Sequence, residues 1–81
     1  MNMMNKLNNQ IIGWLLKFGD RDEDGFSCHT ADYYVFINYT YDLEGNQFIE
    51  ALCLRSGKYP IYNPTIVQLA EIFKQLNDIK Q

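Results

Sequence analysis

Three aspartates alternate with other residues in the stretch DRDEDGFSCHTAD, which begins at position 20. The carboxylates of Asp20, Asp22 and Asp24, with a glycine immediately after them, match the opening half of an EF-hand calcium loop. The closing bidentate glutamate of such a loop is missing, because its twelfth position is Ala31. The main interpretation is therefore a solvated acidic turn, and a weak calcium site at Asp20, Asp22 and Asp24 is the alternative.

The soft metal ligands of the chain are its two cysteines and its single histidine: Cys28, Cys53 and His29. Zinc sites pair their ligands at short standard spacings, and no such pairs occur here. Neighbouring residues of an extended segment point to opposite sides, which separates the Cys28 thiol from the His29 ring. The sequence also lacks a glycine-rich phosphate loop. We therefore predict that the protein is not an enzyme and that it carries no cofactor.

The helices that position these residues are predicted from the spacing of apolar side chains. Apolar residues recur at steps of three and four from Met4 to Phe18, which indicates an amphipathic helix. A second helix is predicted to have Asn63 as its N-cap and Pro64 in its first turn, and to run towards Ile79. Residues 1–4 are expected to fray.

The strands are predicted from runs of β-branched and aromatic residues. The runs YYVFINYTYD and QFIEALCLRS flank the turn LEGN and indicate a β-hairpin. A loop centred on Glu44 and Gly45 sets the register, with Val35 opposite Leu54 on one face. On the other face the predicted pairs are Tyr34 with Arg55, Phe36 with Cys53, Asn38 with Ala51 and Thr40 with Ile49. The short YPIY adds a third strand, which Pro60 confines to an edge.

The predicted fold is therefore a single α+β domain over residues 1–81. An N-terminal helix, a three-stranded antiparallel sheet and a C-terminal helix follow one another, with both helices on one face of the sheet. The same order occurs in double-stranded-RNA-binding domains, which grip phosphates with a basic cluster at the start of the second helix. Here that turn reads NPTIVQ and carries no charge. The likeness therefore extends to topology alone.

The aromatic strand suggests an interaction surface, because alternation prevents its tyrosines from all facing the helices. Tyrosine beside arginine is typical of the anchoring residues of protein interfaces. The predicted partner-binding residues are Tyr34, Phe36, Asn38, Thr40, Ile49 and Arg55. An acidic rim is predicted at Asp20, Asp22, Glu23 and Asp24. The alternative is an ordinary sheet whose tyrosine rings pack across strands and keep their hydroxyls in water.

Composition limits the kinds of partner. Ten acidic and seven basic side chains give a net charge of -3, which repels nucleic acid and anionic lipid. No apolar run approaches the roughly 20 residues that span a bilayer, and the N-terminus lacks the features of a signal peptide. We expect a cytoplasmic protein with a protein partner, direct binding to neither nucleic acid nor membrane, and two reduced thiols.

These observations lead to one main functional hypothesis and two alternatives. The main hypothesis is a small acidic inhibitor or adaptor that blocks a basic, nucleic-acid-handling protein. A phage or mobile-element anti-defence factor, such as an anti-CRISPR, would act in this way in the host cytoplasm. The first alternative is a self-associating accessory protein, which would form a homodimer. The second is a calcium-dependent binding domain that uses the loop at positions 20–24.

Overall fold

The computed structural model describes residues 2–49 and 51–80. Within these ranges the sheet has six strands, where the sequence predicts three. The α+β class is confirmed, with a helix at each end of the chain and an antiparallel sheet between them. In chain order the elements are α1 (Met3–Phe18), β1 (Asp20–Arg21), β2 (Gly25–His29), β3 (Tyr34–Tyr41), β4 (Gln47–Ile49), β5 (Cys53–Ser56), β6 (Tyr59–Ile61) and α2 (Ile66–Ile79).

Helix α1 follows the predicted apolar spacing. It begins at Met3, and the side chain of its N-cap Asn2 accepts a hydrogen bond of 2.8 Å from the Asn5 N–H. Residues 3 and 4, expected to fray, are therefore helical, while Met1 lies outside the described residues. The buried stripe of the helix consists of Leu7, Ile11, Trp14 and Leu15.

Helix α2 ends at Ile79, towards which it was predicted to run, but begins later than predicted. Its N-cap is Thr65, whose hydroxyl accepts from the Gln68 N–H at 3.0 Å. The Gln68 side chain in turn accepts from the Thr65 N–H at 2.9 Å, which completes a capping box. The prediction of Asn63 as the N-cap is therefore wrong. Thr65 takes this position because its reciprocal hydrogen bonds with Gln68 satisfy two backbone N–H groups at the start of the helix.

Strand β3 lies at the centre of the sheet, which has the order β1-β2-β3-β5-β6, with β4 also pairing with β3. We call the face that carries Val35 and Ile37 the inner face and the opposite one the outer face. Both helices pack on the inner face, and their buried residues form one apolar core with Val35, Ile37, Leu54 and Cys28. Over residues 2–49 and 51–80, neither helix is long and apolar enough to cross a bilayer.

The register of the sheet agrees with prediction at β5 and differs at β4. Tyr34 pairs with Arg55 and Phe36 with Cys53, as predicted. At β4, however, Thr40 pairs with Phe48 and Tyr39 with Ile49, which is a shift of one residue. Such a slip exchanges the two faces of a strand. Ile49 therefore lies on the inner face, where it packs against the core, and Phe48 takes the outer position opposite Thr40 that was predicted for Ile49.

The loop between β3 and β4 accounts for this shift. Its ends are the paired residues Tyr41 and Gln47, so the loop is longer than the predicted turn. The Asp42 carboxylate accepts hydrogen bonds of 2.9 Å from the backbone N–H groups of Asn46 and Glu44. These bonds, above all the one from Asn46, lower the pKa of Asp42. The hydrogen-bonded Asp42 carboxylate stabilises the longer loop, and the length of this loop sets the register of β4.

Candidate interaction face

The outer face of the sheet carries most of the predicted partner-binding residues. Alternation along β3 puts Tyr34, Phe36, Asn38 and Thr40 on this face, because Val35 and Ile37 point into the core. Strand pairing extends the face sideways in rows of neighbours. One row is Asp20, Ser27, Phe36 and Cys53, and the next is His29, Tyr34, Arg55 and Pro60.

Three aromatic rings and one guanidinium lie together in these two rows, on β2, β3 and β5, towards the end of the face where β3 begins. The His29 ring stacks on Tyr34 with centroids 4.2 Å apart, and the Tyr34 and Phe36 centroids are 5.2 Å apart. The Arg55 guanidinium lies 5.5 Å from the Phe36 ring centroid, within the range of a cation–π interaction. We call His29, Tyr34, Phe36 and Arg55 the aromatic cluster. Its side chains pack against one another on the surface of the sheet.

His29 belongs to this cluster but was not among the partner-binding residues predicted from the sequence. Its position depends on β2, which the predicted three-stranded sheet did not include, although the segment with Cys28 and His29 was interpreted as extended. The pairing of His29 with Tyr34 then follows from the β2–β3 register. The available signal was Gly25 followed by the extended run FSCH.

A groove of about 310 Å³ borders the aromatic cluster on its β6 side. It is lined by Phe36, Cys53, Arg55, Pro60, Ile61 and Tyr62, among others. Among the described residues, most of this lining is apolar and Arg55 is its one charged member. Within the described ranges no carboxylate pairs with Arg55, since the ion pair found there joins Lys74 and Asp78. The groove therefore offers an apolar wall and the Arg55 guanidinium, which lies over the Phe36 ring.

The register shift at β4 moves one predicted site residue, Ile49, off the outer face and places Phe48 there. Ile49, predicted for the partner-binding surface, is half-buried against the core on the inner face. Phe48 lies opposite Thr40 instead, with 51% of its surface exposed. The aromatic character of the outer face thus continues along β3 beyond Asn38.

The predicted acidic rim forms a β-hairpin at one edge of the outer face. Asp20 belongs to β1 and pairs with Ser27, which places it on the outer face. The Asp22 carboxylate accepts hydrogen bonds of 2.8 Å and 2.9 Å from the N–H groups of Asp24 and Gly25. This Asx turn joins β1 to β2. A negative edge therefore lies beside the aromatic cluster.

The calcium loop considered from the sequence corresponds to this hairpin. An EF-hand loop directs alternate carboxylates towards one ion, whereas here an oxygen of Asp22 already accepts two backbone N–H groups. Among the described residues, no group of three or more His, Cys, Asp or Glu side chains is placed to hold a metal ion. The spacing of Asp20, Asp22 and Asp24 is thus that of a strand and a turn.

The two thiols differ in environment. Cys28 is buried on the inner face, and burial, with a contribution from the Asp20 charge, raises the pKa of its thiol. Its neighbour His29 lies on the outer face, so the two side chains do not meet. Cys53 is half-buried beside the groove on the outer face. The thiolate and base of a cysteine nucleophile are therefore not assembled at Cys28.

Comparisons of the chain with protein-family models, with curated proteins and with solved structures found no match. The outer face is therefore the basis on which a function can be inferred.

Proposed function

We propose that this protein is a small protein-binding module, acting as an inhibitor or adaptor, which contacts its partner through the outer face of its sheet. The observation that carries the proposal is the aromatic cluster on that face, which neither helix covers. Tyrosine and arginine beside an apolar groove are characteristic of the anchoring centre of protein interfaces. The acidic edge and the net charge of -3 favour a partner with a basic surface.

We further propose that the partner handles nucleic acid and that the protein blocks its basic surface in the cytoplasm. An acidic module of 81 residues can occupy such a surface by charge complementarity, with the aromatic cluster providing the apolar contact. The free thiols of Cys28 and Cys53 are consistent with a reducing compartment. In a phage or mobile element, the same action would make it an anti-defence factor such as an anti-CRISPR. No catalytic step is assigned to the chain.

The experiment is affinity capture from a lysate of the organism that carries the gene, at low and at physiological salt, with mass spectrometry of the captured proteins. Tagged wild type is compared with Tyr34→Ala and with the control Tyr59→Ala. Tyr59 is also a strand tyrosine, is 77% exposed and lies outside the aromatic cluster. Circular dichroism and melting temperature verify that both variants are folded.

We expect a stoichiometric basic partner with wild type and with Tyr59→Ala. Binding of the purified partner should weaken at least about tenfold with Tyr34→Ala, as for a residue at an interface centre. Raised salt should weaken it further, because exposed charges are screened. A partner that binds Tyr34→Ala and wild type equally would refute the outer face as the interface, and an acidic partner would refute the charge argument.

A further inference from the structure

Opposite charges lie at two corners of the outer face. The acidic corner is the turn at positions 22–24, at the β1 edge and at the end of the sheet where Gly25 pairs with Asn38, together with Asp20, which pairs with Ser27 in the row of Phe36. The basic corner is Arg55 with Lys58, on the β5–β6 side and at the end where Arg55 pairs with Tyr34. Strand β3 and its aromatic rings lie between them. Asp20 and Arg55 lie in adjacent rows on opposite sides of β3, so the face is polarised mainly across its strands.

We propose that a second copy of this chain binds to the outer face in a twofold contact, in which the acidic corner of each copy meets the basic corner of the other. A twofold interface requires that, if one residue contacts a second, the second contacts the first across the axis. Asp20 and Arg55 can meet this requirement because they lie on opposite sides of β3. With a twofold axis between them, Asp20 of each copy faces Arg55 of the other. An axis that passes over β3 also brings Tyr34 and Phe36 of both copies together at the centre.

The structure leaves both charged corners available for such a contact. Asp20, Arg55 and Lys58 are exposed. Within residues 2–49 and 51–80 none of the three forms an ion pair in its own chain. The faces of two packed sheets lie about 10 Å apart, so side chains of the two aromatic clusters would interdigitate. Exposed ion pairs add little affinity, so the charges set the orientation of the two copies and the aromatic centre holds them together.

The regulatory consequence rests on the proposed function. If the outer face also binds the basic partner, the second copy and the partner compete for it. The dimer is then the resting form, and a partner must displace one copy from the aromatic cluster of the other. Inhibition would accordingly require protein concentrations at which monomer is present, or a partner that binds more tightly than the second copy.

Sedimentation velocity over a concentration series tests the contact with the purified protein alone. Wild type is compared with Arg55→Glu, with Lys58→Glu as a second variant at an exposed turn position, and with Asp20→Lys. The control is Arg21→Glu, which makes the same change of charge on the hairpin next to Asp20. Arg21 pairs with Phe26, a residue that packs against the core, and so lies on the inner face. Near-ultraviolet circular dichroism verifies the fold of each variant.

We expect a monomer–dimer equilibrium for wild type and for Arg21→Glu. The dimerisation constant should fall at least about tenfold for Arg55→Glu and for Asp20→Lys, and less for Lys58→Glu. An equimolar mixture of Arg55→Glu and Asp20→Lys should recover association relative to either variant alone, because both charge pairs of the mixed dimer are attractive: one native Asp20–Arg55 pair, and one pair between the two substituted positions with its charges reversed.

A wild type that stays monomeric up to about 500 µM, a concentration typical of weak homodimers, would overturn the inference. So would a dimer that both Arg55→Glu and Lys58→Glu leave unchanged. These results are distinct from failure of the proposed function. A monomeric protein that captures its partner through Tyr34 refutes the dimer alone, whereas a charge-dependent dimer whose partner binds elsewhere refutes the proposed interface alone.

Discussion

At the scale of single residues, Gly25 shows where the fold depends on the absence of a side chain. Strand β2 starts at this glycine, directly after the acidic turn, and its backbone lies close to that of β3. A Cβ atom built there would overlap the carbonyl oxygen of Ile37 and lie 2.9 Å from the Asn38 Cα. Both contacts are backbone atoms of the central strand, so the sheet would have to move to accept any side chain.

Substitution of Gly25 by alanine is therefore expected to lower the free energy of unfolding by about 2 kcal/mol or more. The matched control is Gly13→Ala in α1, where no atom lies within 4 Å of the added Cβ. That substitution should raise the free energy of unfolding by about 0.5 to 1 kcal/mol, because alanine is the better helix former. Urea denaturation of both variants measures the two changes, and equal stability of the two would contradict the close approach at Gly25.

The two cysteines should differ in reactivity. Only the thiolate is nucleophilic, so the buried Cys28, with its raised pKa, should react slowly with iodoacetamide at mildly alkaline pH. Cys53, half-buried at the groove, should react at least about tenfold faster. Mass spectrometry of peptides from the native and the urea-unfolded protein measures both rates. Equal native rates would show that Cys28 is not protected by the core.

The raised pKa of Cys28 also gives the stability of the protein a pH dependence. In the unfolded chain the thiol ionises first, so between its unfolded and folded pKa values the unfolded state binds fewer protons. The contribution is complete below the ordinary thiol pKa and decreases as the pH rises through the folded value. Cys28→Ala should therefore lessen the decrease in stability at alkaline pH.

At the scale of the elements, the start of α2 shows how two neighbouring signals compete. Asn63 before Pro64 has the composition of a helix start, yet Thr65 caps the helix together with Gln68. The pattern Thr-x-x-Gln is a capping box that can be recognised in the sequence. Local composition therefore predicted that α2 exists. Its first residue depends on which candidate cap, Asn63 or Thr65, makes reciprocal hydrogen bonds.

Thr65→Ala is expected to lower the free energy of unfolding by about 1 kcal/mol, because it leaves a helix N–H without its partner. Asn63→Ala, the control at the other candidate cap, should change it much less. Chemical denaturation followed by circular dichroism measures both. A larger effect at Asn63 than at Thr65 would show that the helix begins where the sequence alone suggested.

The strands were less predictable than the helices, for a physical reason. Apolar periodicity identified α1, α2 and β3, since each buries a regular set of side chains. Strand β1 has two exposed residues and no apolar pattern, so the hairpin it forms with β2 was interpreted as a turn. The shift at β4 depends on the loop that Asp42 holds, which alternation cannot reveal. In the structure, Ile49 and Phe48 consequently lie on the faces opposite to those predicted. Tyr34, Phe36 and Arg55 lie on the predicted face.

At the scale of the whole molecule, the acidic hairpin should not make the protein depend on calcium. Heat scans with millimolar calcium and with chelator should give the same melting midpoint, because Asp20 belongs to a strand and Asp22 and Asp24 belong to the turn after it. A higher midpoint with calcium would contradict this expectation. If Asp20→Asn then abolished the increase, the hairpin would have to rearrange into a binding loop in solution.

The edges of the sheet have a consequence for how the protein behaves when it is concentrated. Strand β1 offers two residues for pairing, β4 offers three, and β6 contains Pro60, which has no N–H to donate. Long regular edges are the templates on which chains add strand by strand into cross-β fibrils. With edges this short, the native protein should resist fibril growth even though its hairpin is rich in aromatic residues.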